Sequence, residues 1–353
     1  MNRRTGAQGV WTGALRSRPS PLIGLAATFA LCCLPIGGAG PALAQQSGAA
    51  MPVSLEAKIP LGSVAGRIDH LAIDVEHRRL FVAELGNNTV SVVDLGSKKV
   101  LHRIGGLSEP QGIAYVPSSG MIFIANGGNG TVRVYSGADY SPVAQLKLGD
   151  DADNVRLDDA SGRVLVGFGS GAIAAIDPKD NTKIAESRLP AHPESFQIDS
   201  SSGRVFVNLP SAGSIAVLGS DLRTQQNWHV PYSGNFAMAL DLAGHRVLVA
   251  YRRPTRLVTY DEDTGRPLVQ AETCGDADDL FYDPDTRRIY VICGSGSLDV
   301  FDAASGKLSR TARVRTAPGA RTGIFVPELY RLLIAVRGNW GEAPGIWVYR
   351  INQ

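Results

Sequence analysis

Charge is scarce in this chain and nearly balanced. Asp, Glu, Lys and Arg make up 19% of its 353 residues, with 35 basic against 33 acidic side chains. A net charge of +2 offers no general basic field for holding a nucleic-acid backbone. Apolar runs are short: Leu22 to Leu34 spans about 13 residues, whereas a membrane-spanning helix needs about 20. No heptad pattern is present, which excludes a coiled coil. Familiar chemical motifs are missing as well. There is no Cys-x-x-Cys-His for covalent haem, no Gly-x-Ser-x-Gly elbow, no His-Glu-x-x-His and no P-loop. Gly127-Gly128-Asn129-Gly130 reads as a hairpin turn, not a phosphate cradle, and Asn88-Thr89-Val90 lacks the hydroxyl of an N-glycan site. What is plentiful is glycine, 40 residues, as many tight turns require, within a chain that is 44% hydrophobic and therefore globular.

Residues 1–44 hold Arg3, Arg4, Arg16 and Arg18, no acidic residue, the short apolar run and a terminal Ala42-Leu43-Ala44. This is the layout of a cleaved secretory signal peptide. Leu31 before Cys32 disfavours lipid attachment, and Gly6 and Ala7 weaken Arg3-Arg4 as a twin-arginine signal. The expected organisation is a signal peptide at 1–44, a linker at 45–52 and a folded domain at 53–353, periplasmic or secreted, with no membrane span after cleavage. Without the first 44 residues Lys and Arg fall from 35 to 31 against 33 acidic residues, a charge of −2. Cys274 and Cys293 are then the remaining cysteines, free to pair in an oxidising compartment.

The domain is one motif repeated. A basic or Met anchor followed by apolar residues recurs at Arg79, Met121, Arg163, Arg204, Arg246, Arg288 and Arg331, spaced 42, 42, 41, 42, 42 and 43 residues apart. Each unit holds four short strands between turn signals. In the second unit these are Gly112–Val116, Met121–Ala125, Val132–Tyr135 and Val143–Leu148. Four strands per repeat of this length predict an all-β, seven-bladed β-propeller. The last unit supplies three strands. Its fourth is expected from the N-terminal segment 54–61, so that the two termini share a blade and close the ring.

The repeats resemble the YVTN family of seven-bladed propellers, and within it the YncE-like secreted bacterial proteins. The stretches that carry the resemblance include Gly66-Arg67-Ile68-Asp69-His70-Leu71, Pro110-Gln111-Gly112-Ile113-Ala114, Asp151-Ala152-Asp153-Asn154-Val155 and Asp276-Ala277-Asp278-Asp279-Leu280. The resemblance implies fold and export, and says little of activity, because fold alone does not give function.

Where the repeats differ is where function can sit. Ten residues before each anchor stand Asp69, Gln111, Asp153, Glu194, Phe236, Asp278 and Arg321. The next position holds His70, Gly112, Asn154, Ser195, Ala237, Asp279 and Thr322, and two residues before the first ring stand Arg67, Glu109, Asp151, His192, Gly234, Asp276 and Gly319. These rings belong to the loops around the axis on one rim. Carboxylates converging there either rise in pKa or gather round a cation. Asp69, His70, Asp153, Glu194 and Asp278 are the candidate ligands for a divalent metal ion, although an Asp in such a loop more often binds backbone N–H groups. Ser195, Glu194 and His192 lie in one extended segment whose alternation separates them, which argues against a triad.

Two further loops add cations. Arg252 flanks the rim in the fifth unit, and the seventh unit carries a longer loop with Arg337 and Trp340. An anionic group could meet Arg252, Arg321 or Arg337. The leading expectation is a monomeric binding or scaffold module whose rim takes a small ligand or a periplasmic protein. A metal-assisted lyase or lactone hydrolase on the same rim is the alternative, and nucleic-acid binding ranks third. A disulfide between Cys274 and Cys293 is the expected covalent tie.

Overall fold

The computed structural model describes residues 51–339 and 341–353. The expected signal peptide, residues 45–50 of the linker and Trp340 lie outside them. The chain forms seven four-stranded antiparallel sheets arranged as a seven-bladed β-propeller. The innermost strands of blades 1 to 7 are Leu71–Asp74, Pro110–Val116, Ala152–Leu157, Phe196–Asp199, Ser233–Asp241, Ala277–Asp283 and Gly323–Val326. In blade 2 the four strands run Pro110–Val116, Met121–Asn126, Thr131–Ser136 and Pro142–Lys147, within two residues of the bounds expected from sequence.

The burial of each strand follows from its place in the blade. Second strands such as Arg79–Glu84 and Met121–Asn126 are buried from their second residue onward. Each blade packs between two neighbours, so both faces of its middle strands are covered, and the sequence there reads as a continuous apolar run. The outer strand Thr182–Arg188 alternates between exposed and half-buried residues, because its edge faces water. Apolar clusters span adjacent blades: Phe81, Val90, Ile113 and Ile122 join blades 1 and 2.

The ring closes as the repeat count requires. Val53–Pro60 pairs antiparallel with the last strand Gly345–Ile351, in a register from Val53 opposite Ile351 to Pro60 opposite Gly345. Blade 7 therefore takes three strands from the C-terminal end and one from the N-terminal segment. Side chains tighten the seam: Arg331 Nε lies 2.6 Å from Glu56 Oε2, and Lys58 Nζ lies 2.9 Å from Glu342 and 3.9 Å from the centre of the Trp347 ring.

The basic anchor of the repeat also acquires a physical role. Arg163 and Arg246 bond the aspartates that end their own inner strands, Asp158 at 3.2 Å and Asp241 at 2.6 Å. Arg79 and Arg204 reach instead into the next blade, to the carbonyl of Gly137 at 3.2 Å and to Glu262 at 2.6 Å. The motif thus fastens strands and blades at the rim opposite the rings described above. On the ring side, Cys274 and Cys293 form a disulfide that ties blade 5 to blade 6.

Candidate functional site

The entry to the inner strand is irregular in the same place in four blades. The ladder with the second strand breaks between Pro110 and Ile113, Ala152 and Val155, Asn235 and Ala237, and Ala277 and Asp279. Gln111, Asp153, Phe236 and Asp278 sit at these bulges, and a bulge turns a side chain away from the sheet. The turn before it needs left-handed backbone. Gly234 supplies it with φ of 76°, and Glu109, Asp151 and Asp276 adopt it at 49°, 44° and 60°.

All seven residues of the first ring converge as a result. Asp69, Gln111, Asp153, Glu194, Phe236, Asp278 and Arg321 line one cavity of about 260 Å³, together with Arg67, His70, Asp151, His192 and Arg252. Eleven of these twelve residues are polar or charged, and none is Ser, Thr, Cys, Lys or Tyr. The lining therefore has no hydroxyl, thiol or amine to act as a nucleophile.

Most of the charges are paired inside the cavity. Asp278 receives Arg252 Nη2 at 2.6 Å and Arg321 Nε at 2.9 Å. The Arg252 guanidinium also stacks 3.7 Å from the centre of the Phe236 ring and donates to the carbonyl of Ala277 at 3.0 Å. Asp69 is held by Arg67 at 2.7 Å. Across the cavity His192 Nε2 lies 3.6 Å from Asp153 and its Nδ1 lies 2.5 Å from the carbonyl oxygen of Gly169. Gln111 donates to Asp151 at 3.1 Å. Glu194 is different. Its carboxylate makes no hydrogen bond or ion pair among the described residues; its neighbours act on it only through charge.

This arrangement shifts the titrations. Burial pushes Glu194 up to about 7, with the Asp153 charge adding to the rise and His192 opposing it. Burial also lifts Asp278 to about 7 despite the pull of its two arginines, and it raises Asp69. Burial alone would depress the histidines, but nearby carboxylates win. His192 is raised to about 9 by Asp153 and the Gly169 carbonyl, and His70 to about 10 by Asp279 and Asp69. His70 Nδ1 and Asp279 are 3.8 Å apart, too far for a hydrogen bond, so proximity of charge is what joins them.

Some expected site residues lie elsewhere. Asn154 is 2% exposed and its Oδ1 has no hydrogen-bond partner among the described residues. It follows Asp153, and successive residues of a strand point to opposite sides. Asp279 is likewise turned away from the cavity and accepts the backbone N–H of Gly323 at 2.8 Å, locking blade 6 to blade 7. Arg337 is exposed and crosses Gly319, where an added Cβ would sit 2.2 Å from its Nε; it does not line the cavity. Asp69, His70, Asp153, Glu194 and Asp278 share one cavity, but among the described residues no group of three or more His, Cys, Asp or Glu stands close enough to hold a metal ion. Phe236 is the apolar residue of the lining, and its place in the ring of rim residues was the signal for it.

Comparison with known proteins supports the architecture and stops there. No family model and no curated protein matches the chain. Among solved structures it is similar to a chain of Kuenenia stuttgartiensis hydrazine synthase, at 15% identity and a TM-score of 0.67 over 82% of this chain and 95% of that one. It is also similar to a chain in a crystal structure of the mitotic checkpoint complex, at 12% identity and a TM-score of 0.72 over 92% of this chain and 99% of that one. At such identities the likeness establishes the seven-bladed propeller fold and nothing of its role.

Proposed function

We propose that this protein is an exported binding propeller of the YVTN type, similar to the YncE-like proteins, whose axial cavity takes a small ligand bearing an ammonium group. The observation that carries the reading is Glu194: a half-buried carboxylate with no hydrogen-bond donor among the described residues, in the cavity that all seven blades line. A ligand cation there supplies the missing partner and lowers the pKa of Glu194, so that binding near neutral pH releases a proton. Arg321 and Arg252 stand across the cavity and suit an anionic or hydroxyl group on the same ligand. The Cys274–Cys293 disulfide supports an oxidising compartment, in accord with a signal peptide at 1–44 and a periplasmic or secreted location.

The test is a thermal-shift and calorimetric screen of the mature protein against amino acids, polyamines and betaines, with neutral sugars and simple carboxylates as controls. An ammonium compound should stabilise the protein and bind at least tenfold more weakly to Glu194→Gln. If sugars or carboxylates bind and ammonium compounds do not, the reading is wrong.

A second reading, a lyase or lactone hydrolase on the same rim, is favoured by the same titration, since a group near pKa 7 can move protons at neutral pH. Its metal-assisted form lacks a donor set among the described residues. Turnover of a bound compound that disappears in Glu194→Gln would select this reading.

A further inference from the structure

Beyond the rim cavity, residues of six blades line a second, half-open space of about 410 Å³. Its wall is largely apolar, with Leu71, Ile73, Ile113, Leu157 and Ile324 among its lining residues. His70 borders both spaces, and Asp279, bonded to Gly323 N–H, faces the second one. The His70–Asp279 pair is therefore the partition between them.

Arg156 lines the second space from the inner strand of blade 3. The corresponding residues of the other inner strands are Ala72, Ala114, Gln197, Ala239, Phe281 and Ile324, so a cation replaces residues that are mostly small or apolar. Its guanidinium has no carboxylate within 4.0 Å among the described residues. Its one hydrogen bond goes to the carbonyl of the adjacent Val155, at 2.9 Å. Arg79, Arg133, Arg256 and Arg288, half-buried like Arg156, also bond only backbone carbonyls among the described residues, whereas six further arginines meet a carboxylate. Arg163, Arg204, Arg246, Arg252, Arg321 and Arg331 have side chains no more than 25% exposed, and each meets a carboxylate at 3.2 Å or less. Asp279 and Asp153 act on Arg156 only through longer-range charge, and each already faces a histidine. Asp159 also lines the space and is exposed. Burial pulls the pKa of Arg156 below its ordinary value, yet an arginine stays charged in a protein. The half-buried guanidinium lies 5.9 Å from the centre of the Phe196 ring and has no anionic partner among the described residues, and a bound anion would offset the cost of its partial desolvation.

We propose that Arg156 and the apolar inner strands form a second binding site, separate from the rim cavity, for a small amphipathic carboxylate. The carboxylate pairs with the guanidinium and the hydrocarbon tail lies along the apolar inner-strand wall. This is independent of the ammonium site above.

The experiment is calorimetric titration of the mature protein with octanoate and, in a separate arm, with sodium bromide. Octanoate should bind with one-to-one stoichiometry. Arg156→Gln should weaken it at least tenfold, Arg156→Lys should weaken it less, and Glu194→Gln should leave it unchanged. Circular dichroism melts establish that each variant is folded, and the Lys variant keeps the charge if the Gln variant is not. Equal octanoate affinity in the wild type and in a folded Arg156 variant overturns the proposal. So does saturable binding of bromide without octanoate, which would assign the site to inorganic anions, and so does the absence of saturable octanoate binding to the wild type.

Discussion

At the rim away from the cavity, inner strands end in Asp74, Asp158, Asp199, Asp241 and Asp283, each at most 4% exposed. At the cavity rim stand Asp69, Asp153, Glu194 and Asp278, equally rich in carboxylate. The first group is satisfied locally. Each member accepts a backbone N–H from the turn that follows, at 2.9 to 3.4 Å. Burial would raise Asp158 and Asp199, but hydroxyl and N–H donors outweigh it and hold both below the usual carboxylate range. In the second group Glu194 and Asp278 are pushed up to about 7. A carboxylate supplied with donors by its own turn is architecture. Glu194, half-buried near the charges of Asp153 and Asp278, is held away from its charged form and is available to a proton or a ligand.

The largest way to disturb this contrast is to remove what both rims share. Deleting residues 53–60 leaves blade 7 with three strands and exposes its edge, and should abolish the cooperative melt followed by circular dichroism. An unchanged transition would refute ring closure. Next, replacing Cys274 and Cys293 by Ser removes the tie between blades 5 and 6 and should cost about 3 kcal/mol in the loop-entropy model, read from denaturant titration under oxidising conditions.

Single carboxylates then separate the rims. Asp241→Ala strands the Arg246 guanidinium and the Gly244 N–H, and should destabilise by about 2 kcal/mol. Glu194→Gln strands nothing and should be neutral at pH 4 and stabilising by roughly 3 kcal/mol at pH 8. The sign follows from linkage. The folded state holds the Glu194 proton up to about pH 7 whereas the unfolded chain releases it near its ordinary value, so wild-type stability falls as pH rises through that window. Equal losses in the two variants would erase the distinction between the rims.

The smallest effect is alkaline. His70 and His192 are raised to about 10 and about 9, above the ordinary histidine value. Their ion pairs stabilise fully below pH 6.5 and are lost as pH rises through 9 to 10. His192→Asn should flatten part of that decline in a pH series of melts.

Much of the fold was legible because its signal is repetition. The anchors indicated the blade count, and the missing strand of the last unit pointed to segment 54–61, which forms the strand Val53–Pro60. The first ring was legible too, because equal spacing from the anchors selected the residues that line the cavity. What spacing could not show is direction. The bulges that turn Asp153 and Asp278 inward also bury Asn154 and turn Asp279 towards the second space, and a period of two makes neighbours opposites. Arg337 and Arg252 both look like rim cations in sequence, yet only Arg252 lines the cavity. Arg156 escaped notice because it lies inside a strand rather than in a loop. Its signal was a charge at a position held mostly by small or apolar residues elsewhere.

Glu194 is a half-buried carboxylate that has no hydrogen-bond or ion-pair partner among the described residues where the blades converge. Carbon-13 NMR titration of glutamate-labelled protein, with the resonance assigned by Glu194→Gln, tests it directly. The expected midpoint is near 7 and moves down when an ammonium ligand binds. A midpoint at the ordinary glutamate value would contradict it and would make Glu194 one more solvated side chain of the rim.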